Sequence, residues 1–92
     1  MDFENANKVP RLRLGFRFQW EPAQNAHVLL YPEGMVRLNE SAGAVLSEVD
    51  GQRSVADIVA TLEKQFPEAG PLMTDVWDFL EDAEQKSWIE FR

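Results

Sequence analysis

The chain contains no cysteine, so it can form no disulfide, hold no thiolate-ligated zinc and offer no cysteine nucleophile. Histidine is almost as scarce. His27 stands alone, at the start of an apolar run beside Gln24 and Asn25, and a lone imidazole in that setting reads as structural or solvent-facing rather than catalytic. The five glycines are scattered singly, which leaves no glycine-rich phosphate loop ahead of a helix, and no G-x-S-x-G elbow surrounds a serine. No stretch of 18 apolar residues occurs, so no membrane-spanning helix is expected. The polar, acidic start Met1-Asp2-Phe3-Glu4-Asn5 lacks the order of a signal peptide. These absences together predict a cytoplasmic protein that is not an enzyme, holds no metal or cofactor and does not enter membranes.

Basic charge is short as well, with nine Lys and Arg against sixteen Asp and Glu, a formal net charge of -7. The deficit is uneven: basic and acidic residues nearly balance up to Asn39, whereas the acidic ones dominate from Glu40 onward. An acidic surface repels phosphate backbones, which argues against a nucleic-acid partner.

What is present is enough for one folded domain, with 45% hydrophobic and 11% aromatic residues in 92. Residues 1–10 show no periodicity and end at Pro10, so they are expected to form a flexible N-terminal arm ahead of a single domain over 11–92. Leu12, Leu14, Phe16, Phe18 and Trp20 then alternate with polar residues or glycine, the period of a half-buried strand. After a turn at Glu21–Asn25, His27 to Tyr31 reads as a second strand. Tyr31-Pro32-Glu33-Gly34 is hairpin chemistry, and Met35–Leu38 returns as a third strand.

The period then becomes helical. Asn39 or Ser41 can cap a helix carrying Ala42, Val45, Leu46 and Val49, with Gly51 at its exit. Ser54 and Asp57 resemble a capping box opening a second helix with Val55, Ile58, Val59, Leu62 and Phe66 on one stripe. Pro71 suits the first turn of a third helix running to about Ser87. Its apolar positions Leu72, Met73, Val76, Trp77, Phe79, Leu80 and Ala83 form a stripe broader than one core contact requires. A three-stranded antiparallel sheet followed by three helices is an α+β, small winged-helix-like domain.

On the third helix Asp75, Asp78 and Asp82 share a face by their spacing. Carboxylates on one rigid helix seldom enclose a metal without a loop, so no metal site is expected. The face reads as solvated, or as a docking surface for a basic partner.

The block His27-Val28-Leu29-Leu30-Tyr31-Pro32-Glu33-Gly34-Met35-Val36-Arg37-Leu38-Asn39-Glu40-Ser41-Ala42-Gly43 resembles the signature of the PqqD family. So do Gly15-Phe16-Arg17-Phe18-Gln19-Trp20-Glu21 before it and Asp50-Gly51 with Ser54-Val55-Ala56-Asp57-Ile58-Val59 after it. The similarity runs from about Pro10 to Trp88. Lys86-Ser87-Trp88 departs from it, since the family pattern places a glycine before the tryptophan.

The resemblance implies a peptide chaperone of pyrroloquinoline quinone (PQQ) biosynthesis. Such a protein binds the ribosomal precursor peptide PqqA and presents it to the radical SAM enzyme PqqE. It further implies that the peptide adds as a strand to the third strand and lies against the third helix, in the manner of the recognition elements of other peptide-modifying systems. The peptide-binding residues are then expected at Met35, Val36, Arg37, Leu38 and Asn39 on the strand edge. Met73, Val76, Trp77 and Leu80 would wall the groove, with Asp75, Asp78 and Asp82 drawing basic peptide residues.

The residues allow this independently. A sheet edge leaves a row of backbone donors and acceptors unpaired, and strand addition satisfies them. Val36, Leu38, Val76 and Leu80 suit a core equally well, and Arg37 suits plain solvation. A monomer is expected, with dimers through the same edge at high concentration. Two other readings remain: a winged-helix DNA-binding regulator, which needs a basic helix face, and an enzyme subunit contributing to a shared active site.

Overall fold

The alternation from Leu12 to Trp20 does not make one strand. In the computed structural model, which describes residues 3–92, Gly15 takes a left-handed φ of +95° and the Phe16 N–H donates to the Arg13 carbonyl at 3.1 Å. This turn splits the run into β1 (Pro10–Leu12) and β2 (Arg17–Glu21), which belong to different sheets. Both flanks of the turn keep the period of two, which is why the sequence reads as continuous.

A one-turn helix α1 (Phe3–Ala6) precedes β1. After β2 come β3 (Ala26–Tyr31), β4 (Gly34–Arg37), α2 (Glu40–Leu46) and α3 (Val55–Gln65). A 3₁₀ turn at Pro67–Ala69, α4 (Met73–Gln85) and β5 (Ile89–Phe91) complete the chain. Strands β2, β3 and β4 form an antiparallel meander in that order, and the three larger helices follow it. The domain is therefore α+β and winged-helix-like, with β1 and β5 added as a two-stranded antiparallel sheet.

That small sheet joins the two ends of the chain. Pro10 pairs with Phe91 and Leu12 with Ile89, Arg92 N–H donates to the Val9 carbonyl, and Val55 N–H donates to the Lys8 carbonyl. The Lys8 ammonium lies over the rings of Trp77 and Phe91 at 5.5 and 5.7 Å. Of the arm expected to be flexible over 1–10, residues 1 and 2 lie outside the described residues, while Lys8 to Pro10 are docked through these contacts. Their contacts are largely backbone hydrogen bonds, which leave no side-chain periodicity to read.

Local signals explain most helix ends. Asn39 caps α2, its side-chain oxygen accepting from Ala42 N–H at 2.8 Å. Ser54 and Asp57 form the reciprocal capping box at the start of α3. The third large helix is shorter than expected at both ends. Pro71 lies ahead of α4, whose Leu72 N–H is satisfied by the Glu63 carboxylate at 2.9 Å.

At the other end Trp88 N–H donates to the Ala83 carbonyl and Ser87 N–H to the Glu84 carbonyl. Ser87 sits at φ +66°, so the helix closes in a Schellman motif at Gln85. The core lies between the helices and one face of the larger sheet, with Leu29, Leu46, Val55, Ile58, Leu62, Leu80 and Ile89 buried.

Candidate functional site: an open strand edge beside two clefts

The hairpin fixes which backbone groups of β4 are free. Leu38 N–H donates to the His27 carbonyl at 3.0 Å, and Val36 and Leu29 face each other two residues earlier. Alternation in an antiparallel ladder then turns the groups of Gly34, Val36 and Leu38 toward β3. Those of Met35 and Arg37 point outward, where among the described residues no further strand pairs with β4. Side chains sort the same way: Leu38 is buried and Val36 packs on the core, while Met35 and Arg37 are exposed. The edge residues expected from the sequence thus divide into two core anchors and two outward positions, with Asn39 committed to capping α2.

Close to the end of β4, a groove of about 350 Å³ opens among α2, α3 and α4. Its floor is apolar, formed by Ala44 and Val45 of α2, Leu62 of α3, Phe66, Leu72, and Val76 and Phe79 of α4. Glu40, Ser41 and Asp75 stand among the lining as its polar members. Phe66, expected in the core stripe of the second helix, is its C-cap and is exposed.

Rotation about α4 decides which predicted wall residues reach this groove. Val76 and Asp75 do. Leu80 is sealed in the core, and Met73 packs partly buried against it. Trp77 turns to another flank, its ring 5.3 Å from that of Phe91 and beneath Lys8. Asp78 is exposed, and Asp82 pairs with Lys86 at 2.9 Å. Among the described residues no three His, Cys, Asp or Glu side chains gather as a metal site.

Phe79, Phe66, Ala44, Glu40 and Ser41 line the groove without having been expected there. The excess width of the apolar stripe on α4 was the available signal for Phe79.

A second, larger cleft of about 730 Å³ lies at the end of the sheet. It is lined by Trp20, Asn25, Ala26 and His27 on one side and by Arg37, Leu38, Asn39 and Glu40 on the other. The His27 ring stacks on Phe18 at 4.8 Å and meets Trp20 edge-on at 5.1 Å. Behind it lies Gly43 of α2, where an added Cβ would stand 3.1 Å from His27 Nδ1. Sequence reasoning set His27 aside as a non-catalytic residue; its packing role depends on a glycine sixteen positions away and has no local signature.

Fold and site together define a small winged-helix-like domain with a strand edge that has no partner among the described residues, a cleft at the end of the sheet and an apolar groove among the helices. The chain belongs to the PqqD family: the family profile "Coenzyme PQQ synthesis protein D (PqqD)" matches residues 26–89. Among its relatives are proteins named PqqA binding protein. That of Azotobacter vinelandii is 64% identical over 84 residues, 91% of each chain. That of Pseudomonas aeruginosa (strain UCBPP-PA14) is 55% identical over the full length of both chains.

A solved structure agrees in fold. The solution NMR structure of the PqqD truncation of Methylobacterium extorquens PqqCD superposes with a TM-score of 0.73 at 37% identity, covering 89% of this chain and 88% of that one. That truncation is described as a functional, stand-alone recognition element for ribosomally synthesized and post-translationally modified peptides.

Proposed function

We propose that this chain is a non-catalytic adapter of PQQ biosynthesis that binds the precursor peptide PqqA by strand addition to β4. In this reading it presents the peptide to the radical SAM enzyme PqqE. The observation that carries the proposal is the edge of β4, whose Met35 and Arg37 backbone groups point outward, in a domain with an apolar groove among the helices that follow it. It stands in a family whose relatives are named for binding PqqA.

An added strand would complete the ladder of β4 and alternate its own side chains between the two faces of the sheet. Those on the core side would meet the groove floored by Val76 and Phe79. Asp75 and Glu40 favour a basic peptide residue at its margin. In this reading the adapter is cytoplasmic and binds the peptide as a monomer, and pairing of two copies through β4 would compete with the peptide for the same edge. A DNA-binding role has no support from the helices: α4 carries no Lys or Arg, and α3 carries Lys64 alone.

The test is an amide-resolved NMR titration with synthetic PqqA, with the affinity taken from calorimetry. Expected are saturable shifts over Met35–Asn39 and over Asp75, Val76 and Phe79, with a micromolar or tighter Kd, about -8 kcal/mol or better. The peptide-loaded protein is expected to form a ternary complex with PqqE. Shifts confined to the β2 edge would remove the assigned site, and no binding with PqqE present would remove the function.

A further inference from the structure

The register of the larger sheet gives it a second face, turned away from the core. Arg17 stands opposite Leu30 and Leu30 opposite Met35, while Gln19 stands opposite Val28 and Val28 opposite Arg37. Residues paired across a ladder share a face, so these six side chains lie together on the side away from Phe18, Leu29 and Val36. The core agrees: Leu29 belongs to it and Phe18 and Val36 pack against it, whereas Val28, Leu30 and Met35 take no part. Val28 is still fully buried, in the middle strand between Gln19 and Arg37. Leu30 is half-buried and Met35 exposed. The outer face thus carries a short apolar strip from Val28 through Leu30 to Met35, with an exposed arginine on each outer strand.

Charge sets this face apart. Of the nine Lys and Arg, Arg11, Arg13, Arg53 and Lys86 form ion pairs. Lys8 lies over Trp77 and Phe91, and Arg92 donates to the Gly51 carbonyl. Among the described residues this leaves Arg17, Arg37 and Lys64 without such a partner, and two of these three stand on the outer face. Glu21 shares the face by alternation, at its far end, where its carboxylate accepts from Ala23 N–H. Two exposed guanidiniums on strands about 10 Å apart, flanking an apolar strip, are complementary to an acidic protein surface with an apolar patch of its own. A polyanion such as nucleic acid fits less well, because the net charge of -7 repels it at long range.

A strand added to β4 would extend this face and cover none of it. Alternate side chains of the peptide would stand beside Met35 and Arg37 on the same side of the sheet. The β4 edge and the groove among the helices are occupied in the loaded adapter, but the outer face stays accessible, and a partner resting on it meets adapter and peptide together. We infer that the outer face of the sheet is the surface by which the loaded adapter docks onto an acidic patch of the enzyme that receives the peptide. Arg17 and Arg37 supply the charge complementarity, and Leu30 and Met35 the apolar contact between them. This rests on the adapter reading and adds to it the docking surface and the charge of its counterpart.

The experiment measures binding of PqqA-saturated adapter to PqqE by calorimetry, comparing wild type with Arg17→Glu and Lys64→Glu. Arg17 lies on β2, away from the edge that takes the peptide, and Lys64 makes the same change of charge on α3. Arg17→Glu, its fold checked by amide spectra, is expected to weaken PqqE binding at least about tenfold, since it sets like charges against each other. Its affinity for PqqA should stay within about twofold of wild type, and Lys64→Glu should keep both affinities within about twofold. Adding PqqE to the peptide-saturated wild type should shift or broaden the Leu30 methyl resonances.

PqqE binding by Arg17→Glu within about twofold of wild type overturns the docking face and leaves the adapter reading intact. An equal loss in Lys64→Glu does the same, because the effect then belongs to total charge. Loss of PqqA affinity in Arg17→Glu overturns the inference by assigning the face to the peptide. Wild-type dimers that Arg17→Glu abolishes overturn it by assigning the face to a second copy. A wild-type adapter that binds PqqA and fails to bind PqqE removes the presentation reading and the docking face together.

Discussion

Ser87 holds a φ of +66° at the position that closes α4, a conformation that costs a residue with a Cβ about 1–2 kcal/mol and that glycine adopts freely. The resemblance leads to an expectation of glycine before this tryptophan, and the backbone conformation is one that suits glycine. The Schellman bonds from Trp88 and Ser87 need the left-handed residue whichever side chain occupies it. Ser87→Gly is accordingly expected to raise unfolding stability by about 1 kcal/mol, read as a higher denaturant midpoint with an unchanged slope.

Gly43 is the opposite case. Glycine inside a helix ordinarily costs about 0.5–1 kcal/mol relative to alanine, yet here a Cβ would press on His27 at 3.1 Å. The larger Gly43→Val should destabilise by about 1–3 kcal/mol, the range for overpacking, and should shift the Trp20 and His27 ring resonances.

A third position reports on acid. The Asp50 carboxyl is held below its ordinary value of 3.8, first by the Gln52 N–H and then by that of Arg53, with the Arg53 charge adding a smaller push in the same direction. A depressed folded-state value means that the stabilisation is present above the unfolded value and is lost as pH falls through the folded one. Carbon-detected titration of the Asp50 carboxyl should give a midpoint below 3.8. In Asp50→Asn, the stability loss between pH 5 and the acid limit should be smaller than in the wild type.

Elements were legible where their signals are local. The Ser54–Asp57 capping box, the Pro32–Gly34 hairpin and the Asn39 cap are each written within four residues, and the structure contains all three. The β1–β5 pairing was not legible: it joins three-residue strands across 79 positions, as the Arg11–Glu90 ion pair shows, and a strand that short carries no period. Leu14 misled in another way, because its apolar side chain continued the alternation while standing fully exposed in the Gly15 turn. For the candidate site, the edge at β4 followed from strand order. The wall of the groove did not, since the assignment of Val76, Trp77, Phe79 and Leu80 depends on the angular setting of α4 against its neighbours, and successive residues are about 100° apart.

The edge itself yields a prediction at this scale. Met35 turns its N–H outward, so Met35→Pro removes a donor that no strand among the described residues uses. Amide spectra should show the fold retained, while affinity for PqqA falls by at least about tenfold, the loss of one backbone bond plus a steric block. Retained affinity would exclude β4 as the docking strand.

Across the whole molecule the charges do not cancel. Of the five carboxylates on α4, only Asp82 has an ion-pair partner among the described residues, and the chain as a whole carries -7. Most of the ion pairs lie at exposed side chains, where each contributes about 0–1 kcal/mol and weakens in salt. Self-repulsion among the unpaired carboxylates is screened by the same salt, over a Debye length of about 10 Å at 0.1 M. The repulsive side is the larger, because the excess acid is concentrated from Glu40 onward. Raising sodium chloride from about 10 to 150 mM, a range over which screening changes strongly, should therefore increase the thermal midpoint. A midpoint that falls would mean that the ion pairs outweigh the repulsion. Asp78→Asn, which removes one exposed charge, should raise the midpoint at low salt and shrink the salt response. The peptide acts on the same balance: a basic residue docked near Asp75 and Glu40 relieves repulsion in the adapter as it binds, so PqqA should stabilise the protein more at low salt than at high salt.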